Sequence, residues 1–173
     1  MNLNADRALV RRAQTSATGF GELFDIYYER IYKYAYRRIG ARQNAEDIAA
    51  IVFEEALRGI QKYRWQNKPI AAWLYKIAAR RVADFYRSGA RGEVEPVERG
   101  DDGIEDKVSE SVSMRAGLQR LSEGDQEIIR LTFFDELETE EIAALLDCTA
   151  NSIYVRLHRA LKRLKAIMEQ EAK

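Results

Sequence analysis

The pattern that most restricts this chain lies near its C-terminus, from Glu138 to Leu164, ETEEIAALLDCTANSIYVRLHRALKRL. It reads as two helices joined by a tight turn. Ile142, Ala143, Leu145 and Leu146 give the first helix an apolar side. Asp147-Cys148-Thr149 makes the turn, with Thr149 placed to cap the second helix. Asp147 stands where such turns favour glycine, and Asp tolerates the left-handed conformation better than most residues. In the second helix Ile153, Leu157, Leu161, Leu164 and Met168 recur at helical period, which predicts one buried stripe. With Leu157 at the centre and about 100° per residue, Ser152, Val155, Arg159, Lys162 and Arg163 fall opposite, and Arg156 sits on the shoulder. Tyr154 falls about 60° from the stripe centre, so it is expected to make no base contact. A buried stripe backed by a basic, small-residue face suits a helix that enters a DNA groove. An ordinary solvated Arg/Lys face is the competing reading.

The segments before it are also helical. Residues 5–13 read as a short helix ended by a loop at 15–19. Phe20 to Ile39 follows, with Leu23, Tyr27, Ile31 and Tyr34 on one stripe, widened by Phe20, Phe24 and Tyr28. Arg30, Lys33, Arg37 and Arg38 are expected on its solvent side. Gly40 stops this helix, and Asn44 is expected to cap the next, with Glu46 and Asp47 in its first turn. There Ile48, Val52, Ala56 and Ile60 form a stripe with Phe53 and Leu57 beside it. The helix ends near Tyr63, and Arg64 to Pro69 reads as a loop leading into another helix.

That helix, Ile70 to Arg87, has Leu74, Ile77, Ala78, Val82 and Phe85 as its buried sector. Lys76, Arg80 and Arg87 fall within an arc of about 40° at helical spacing, with Trp73 at its edge. A tryptophan bordering a basic strip can stack an unpaired base while the charges hold phosphates. Equally, Trp73 can be core, with Arg80, Asp84 and Arg87 as surface ion pairs. Arg81 projects into the buried sector without explanation from the pattern. Ser88 to about Val112 loses periodicity, with several glycines, Pro96 and dense acids, and reads as a linker. Met114 to Leu121 is helical again. Ser122 then caps a helix through Phe133 or Phe134, carrying Ile128, Ile129, Leu131 and Phe133. The fold class is therefore all-α, with no strand. Its domains are 1–88 and 113–173, joined by an acidic linker at 89–112.

Charge sorts along the chain although the net charge is zero. Arg58 to Arg91 holds nine basic residues against the single acid Asp84, whereas Glu93 to Glu110 holds eight acids against Arg99 and Lys107. Segregation of this kind implies separate surfaces for separate partners. Cys148 and His158 are the only residues of their types, so neither a zinc site nor a Cys/His catalytic pair can be assembled. No glycine-rich phosphate loop is present, no cofactor is expected, and an enzyme has little to stand on. MNLNADRALVRR lacks an apolar run of signal-peptide length, and no stretch approaches a membrane span, which predicts a cytoplasmic chain.

The order of these pieces resembles an extracytoplasmic-function (ECF) sigma factor of bacterial RNA polymerase. The marks are Ala45-Glu46-Asp47-Ile48 with Phe53, then Ala72-Trp73-Leu74, Ile77-Ala78 and Asp84-Phe85-Tyr86-Arg87. Further on come Gln126 to Leu131, Glu141-Ile142-Ala143 and Arg156-Leu157-His158-Arg159-Ala160. Each is weak alone, and their joint order is specific. The resemblance implies that the chain binds core RNA polymerase and promoter DNA, with an anti-sigma factor as a further partner. It implies core docking by Glu46, Asp47, Ile48, Ile51, Phe53 and Glu54. Minus-ten binding and melting would fall to Arg64, Trp65, Asn67, Trp73, Lys76, Arg80 and Arg87. Minus-thirty-five recognition would fall to Thr149, Asn151, Ser152, Val155, Arg156, Arg159 and Arg163. The linker would run through the polymerase interior. A helix-turn-helix regulator that never docks on polymerase is the alternative, and it leaves residues 20–87 needing another purpose.

Overall fold

The computed structural model describes residues 3–89 and 108–171, and among them every regular element is a helix. The chain divides into two compact units, Met1–Arg99 and Gly100–Lys173. The first contains α1 (Leu3–Thr15), α2 (Ala17–Ile39), α3 (Arg42–Gly59) and α4 (Ile70–Arg87). The second contains α5 (Val108–Gln119), α6 (Glu123–Ile129), α7 (Thr139–Leu145) and α8 (Ala150–Glu171). Most of the expected linker, residues 90–107, lies outside the described residues. Its last part, from Val108, is the start of α5.

In the first unit the stripe on α2 is the centre of the core. Leu23, Tyr27 and Ile31 are fully buried, and Tyr34 nearly so. α1 adds Leu9, Val10 and Ala13, α3 adds Ile48, Val52, Phe53 and Ala56, and α4 adds Leu74, Tyr75, Ile77, Ala78 and Val82. Burying each large apolar side chain contributes roughly 1.5–3 kcal/mol. Tyr75 meets Tyr34 edge-on at 5.2 Å between ring centres.

Four local expectations for this unit need correction. The 15–19 loop is absent: only Ser16 leaves the helix, and its Oγ accepts the Gly19 N–H at 3.0 Å. Nor does Asn44 cap α3. Gly40 adopts a left-handed φ of 78°, Ala41 is extended, and the helix begins at Arg42, so Asn44 already lies inside it. Glu46 and Asp47 consequently fall beyond the first turn. Arg30 and Arg38 do not simply face solvent. Their guanidinium groups lie over the Tyr27 and Tyr75 rings (5.4 and 5.8 Å) and the Tyr34 ring (3.5 Å). Leu57, placed beside the buried stripe, is 53% exposed.

Arg81 acquires an explanation. It lies on the inner side of α4, ion-pairs with Glu55 of α3, and reaches Asp84 at 3.3 Å. Glu55 also pairs with Arg80, so one carboxylate ties two arginines of α4 to α3.

In the second unit Ser122 caps α6 as expected, accepting the Asp125 N–H at 3.3 Å. The helix does not continue to Phe134 at α period. Arg130–Phe134 widens into a π turn, closed by the Asp135 N–H on the Arg130 carbonyl at 2.9 Å. The wider turn rotates the residues after it relative to α spacing. Leu131 is buried, whereas Phe133 is 55% exposed. Glu136 then takes a left-handed φ of 52° and turns the chain toward α7. α5 packs closely on α8: a Cβ at Gly117 would stand 3.2 Å from Leu164 Cδ1.

Candidate nucleic-acid interface

The helix-turn-helix forms as the local chemistry requires. The Cys148 N–H reaches the Ala143 carbonyl at 2.9 Å, and Asp147 takes the left-handed conformation at φ 49°. Thr149 Oγ1 accepts the Ser152 N–H at 3.2 Å, satisfying one of the open donors at the start of α8. α8 buries Ile153, Ala160 and Leu164, while Leu157 is half-buried and Leu161 is 37% exposed. The buried face is therefore rotated toward Ala160, by about 40° at helical spacing, from the stripe expected around Leu157. That rotation carries Tyr154 outward. It is 60% exposed, against the expectation that it lies too near the core to reach a groove.

The rotated face presents Asn151, Val155 and Arg159 to solvent, with Tyr154 and His158 on its border and Ser152 half-buried at its start. Arg156 is exposed on the flank nearest α6, with Nη2 4.0 Å from where a Cβ on Gly124 would lie. Arg163 ion-pairs with Asp125 of α6 and so fastens α8 to the rest of the unit.

In the first unit the residues expected at the minus-ten element group around one loop and one helix end. Arg64 and Asn67 are exposed and Trp65 is half-buried, and Asn67 takes a left-handed φ of 57°. Trp73 is half-buried, lying 4.9 Å from the Tyr63 ring at 47° and closing on Gly59, where a Cβ would be 3.2 Å away. Lys76 and Arg80 follow on the exposed side of α4, Arg80 paired with Glu55. Arg87 pairs with Asp84 at the far end of the helix. The exposed Arg87–Asp84 pair contributes little to stability, so a phosphate can compete for the Arg87 guanidinium at small cost.

The six residues expected at the docking helix divide by face. Ile48 and Phe53 are buried, Glu46 is half-buried, and Asp47, Ile51 and Glu54 are exposed. Glu54 pairs with Arg58 one turn on. Asn44, Asp47 and Ile51 line an open groove against Arg81, Asp84 and Phe85 of α4. Beside this, Phe24, Tyr28 and Phe53 form an aromatic cluster with ring centres 4.8–5.9 Å apart, partly open to solvent through Phe24.

Three participants escaped the sequence reading. Glu55, which holds Arg80 and Arg81, gives no local signal because its partners lie on another helix. Tyr63, under Trp73, has its phenol pKa raised by burial and by the nearby Asp6 charge. Asp6 itself carried a readable signal. It shares the Leu9, Val10 and Ala13 face of α1, and an acid on an apolar stripe demands a partner. Among the described residues no group of three or more His, Cys, Asp or Glu side chains is placed to hold a metal. None of their helices is long and apolar enough to cross a membrane.

Two units that are helical throughout their described residues, one of them with a helix-turn-helix that exposes a polar and basic face, have the make-up of a DNA-binding transcription protein. Comparison with known families sharpens that class. Residues 23–92 match Sigma-70 region 2 and residues 111–164 match Sigma-70, region 4. The chain is 33% identical to the ECF RNA polymerase sigma factor BldN of Streptomyces coelicolor, over 95% of this chain and 66% of that protein's length. It is 30% identical to the RNA polymerase sigma factor YlaC of Bacillus subtilis, over 85% of this chain and 90% of that one. The structure of CnrH in complex with the cytosolic domain of CnrY superposes with a TM-score of 0.65 at 25% identity, covering 96% of this chain and 98% of that one. The sigma factor RpoE of Bartonella quintana, in complex with the anti-sigma factor NepR, shares the fold at a TM-score of 0.57 and 18% identity, covering 87% and 96%. The chain belongs to the ECF sigma factors of bacterial RNA polymerase. Membership assigns it the family's function, directing transcription initiation, and sets aside the regulator that never meets polymerase.

Proposed function

We propose that the two units divide promoter recognition between them. The first unit, expected over 1–88, binds core polymerase through the exposed side of α3 and engages the minus-ten element through the Arg64–Pro69 loop and α4. The second, expected over 113–173, reads the minus-thirty-five element with α8. Residues 89–112 connect them. The observation that carries this reading is the face of α8: Asn151, Val155 and Arg159 are exposed on a helix whose opposite side is buried.

On α3, Asp47, Ile51 and Glu54 make the contacts, while the buried Ile48 and Phe53 hold the helix in place. Near the loop, Trp65 and Trp73 offer partly open rings for unpaired bases, and Lys76, Arg80 and Arg87 supply phosphate contacts along one side of α4. Trp73 packs on Tyr63 and Gly59 and keeps an exposed portion, which supports a ring that is held by packing and still open to a base. On α8, Thr149 and Ser152 fix the helix start, Arg156 grips phosphate on its flank, and Arg163, expected at the DNA, is held by Asp125 and keeps α8 in place.

The chain acts by binding and strand separation, with no catalytic group of its own, in the cytoplasm where the polymerase works. Its further partner is an anti-sigma factor, the kind of protein that NepR is in its complex with the RpoE of Bartonella quintana. Footprinting of the reconstituted holoenzyme tests the division of labour. Changes in α8 should erase upstream protection, and changes in the Arg64–Pro69 loop should erase permanganate reactivity near the start site. Loss of both signals from either set of changes contradicts the division.

A further inference from the structure

The loop between α3 and α4 is held at both ends by a helix far away in sequence. Gln14 of α1 donates from Nε2 to the Ile60 carbonyl at 2.9 Å and to the Tyr63 carbonyl at 2.8 Å, where the loop begins. Gln61 returns a bond to the Gln14 carbonyl at 2.8 Å, so the junction is doubly tied. At the other end the Ile70 N–H donates to Asp6 Oδ2 at 3.1 Å. That amide opens α4, and its N-cap residue is Pro69, which has no side-chain group to cap it. Asp6, 1% exposed, supplies the cap from α1. A carboxylate there also meets the positive end of the α4 dipole.

Asp6 and Gln14 lie eight residues apart, or about 12 Å along an α-helix. This rigid spacing fixes the distance between the loop's entry and its exit. Between those anchors sit Arg64, Trp65, Gln66, Asn67 and Lys68, with Asn67 in a left-handed conformation that non-glycine residues seldom adopt. Holding both ends lowers the entropy lost when such a loop takes up a ligand.

We propose that α1 is a positioning element for minus-ten readout, with Gln14 and Asp6 as its positioning residues. The inference rests on the reading that the Arg64–Pro69 loop contacts the minus-ten element. Neither residue touches DNA. They set the shape in which the loop meets a base.

The test uses the full chain assembled with core polymerase. Single-stranded oligonucleotides carry a minus-ten sequence that the wild-type holoenzyme has selected from a random pool, together with its single-base variants. Gln14→Ala should lower the preference for the selected bases by roughly threefold to tenfold, the effect of about one net hydrogen bond. Core affinity and minus-thirty-five preference should stay at wild-type values, which a purely structural defect would not allow. Asp6→Asn, of equal size but without the charge, should act in the same direction and replaces Gln14→Ala if that variant fails to assemble. Asn67→Ala in the loop is the control. If Asn67→Ala lowers the preference and the α1 variants do not, positioning by α1 is overturned while the loop reading stands. A parallel fall of core affinity with base preference in the α1 variants also overturns it. If Asn67→Ala and Trp65→Ala both leave the preference intact, the loop reading itself fails and the proposal falls with it.

Discussion

Arg159 and Arg156 of α8 test the proposal that one helix makes both kinds of DNA contact. With the buried face centred near Ile153, Ala160 and Leu164, Arg159 points about 120° away and Arg156 only about 60° away, toward α6. In the proposed placement of α8 in the major groove, Arg159 would face the base edges and Arg156 the phosphates of the groove wall. Both side chains are exposed, so truncating either should change stability by no more than about 0.5 kcal/mol. Arg159→Ala should cost about 1–3 kcal/mol of discrimination, which is roughly 5- to 150-fold, at one or two base pairs. Arg156→Ala should weaken all promoters alike and lower the salt slope of log K by about one unit. The assay is holoenzyme binding to a panel of minus-thirty-five variants at several salt concentrations. If Arg159→Ala weakens every variant equally, direct readout by Arg159 is refuted. If Arg156→Ala changes the rank order of promoters, its assignment to phosphate is refuted.

Three further outcomes follow from named contacts. Asp47→Arg, on the exposed side of α3, should weaken binding in a titration against core polymerase and leave the circular dichroism spectrum unchanged. Trp73→Ala should reduce open-complex formation by about one to two decades, since stacking contributes ~1–3 kcal/mol per base, as read by permanganate footprinting. A normal bubble in that variant would make Trp73 a packing residue only. Gly19→Ala should destabilise the first unit, because a Cβ there would lie 2.2 Å from the Arg12 carbonyl oxygen. Overpacking of this kind costs about 1–3 kcal/mol, which lowers a thermal midpoint by at least about 4 °C in a unit this small.

What could be read from sequence was local. The α2 stripe at Leu23, Tyr27, Ile31 and Tyr34, the limits of α4, and the Ser122 and Thr149 caps all depend on residues within a few turns of each other. Some misreadings arise where a partner is distant, others where two local signals compete. Arg81 was inexplicable on the helical wheel because Glu55, its counter-charge, sits on α3. Arg30 and Arg38 each lie over a ring one turn back on α2, Tyr27 and Tyr34, and only the Tyr75 ring near Arg30 comes from another helix. Asn44 read as a cap because its residue type favours one, yet the turn at Gly40 starts α3 earlier. The π turn at Arg130–Phe134 has no composition signal. At the candidate site the types of residue were legible on α8, but its true face was not. Periodicity gives Leu157 and Leu161 equal claim to burial, and only packing against the other helices favours Ala160.

The most direct measurement is run-off transcription by core polymerase, with and without this chain, on genomic fragments of the source organism. A chain with these two units should yield discrete transcripts that appear only when it is added. Their start sites should share two sequence elements about two duplex turns apart, roughly 70 Å. Stable binding of the isolated chain to promoter duplex, without association with core and without new transcripts, would contradict that outcome.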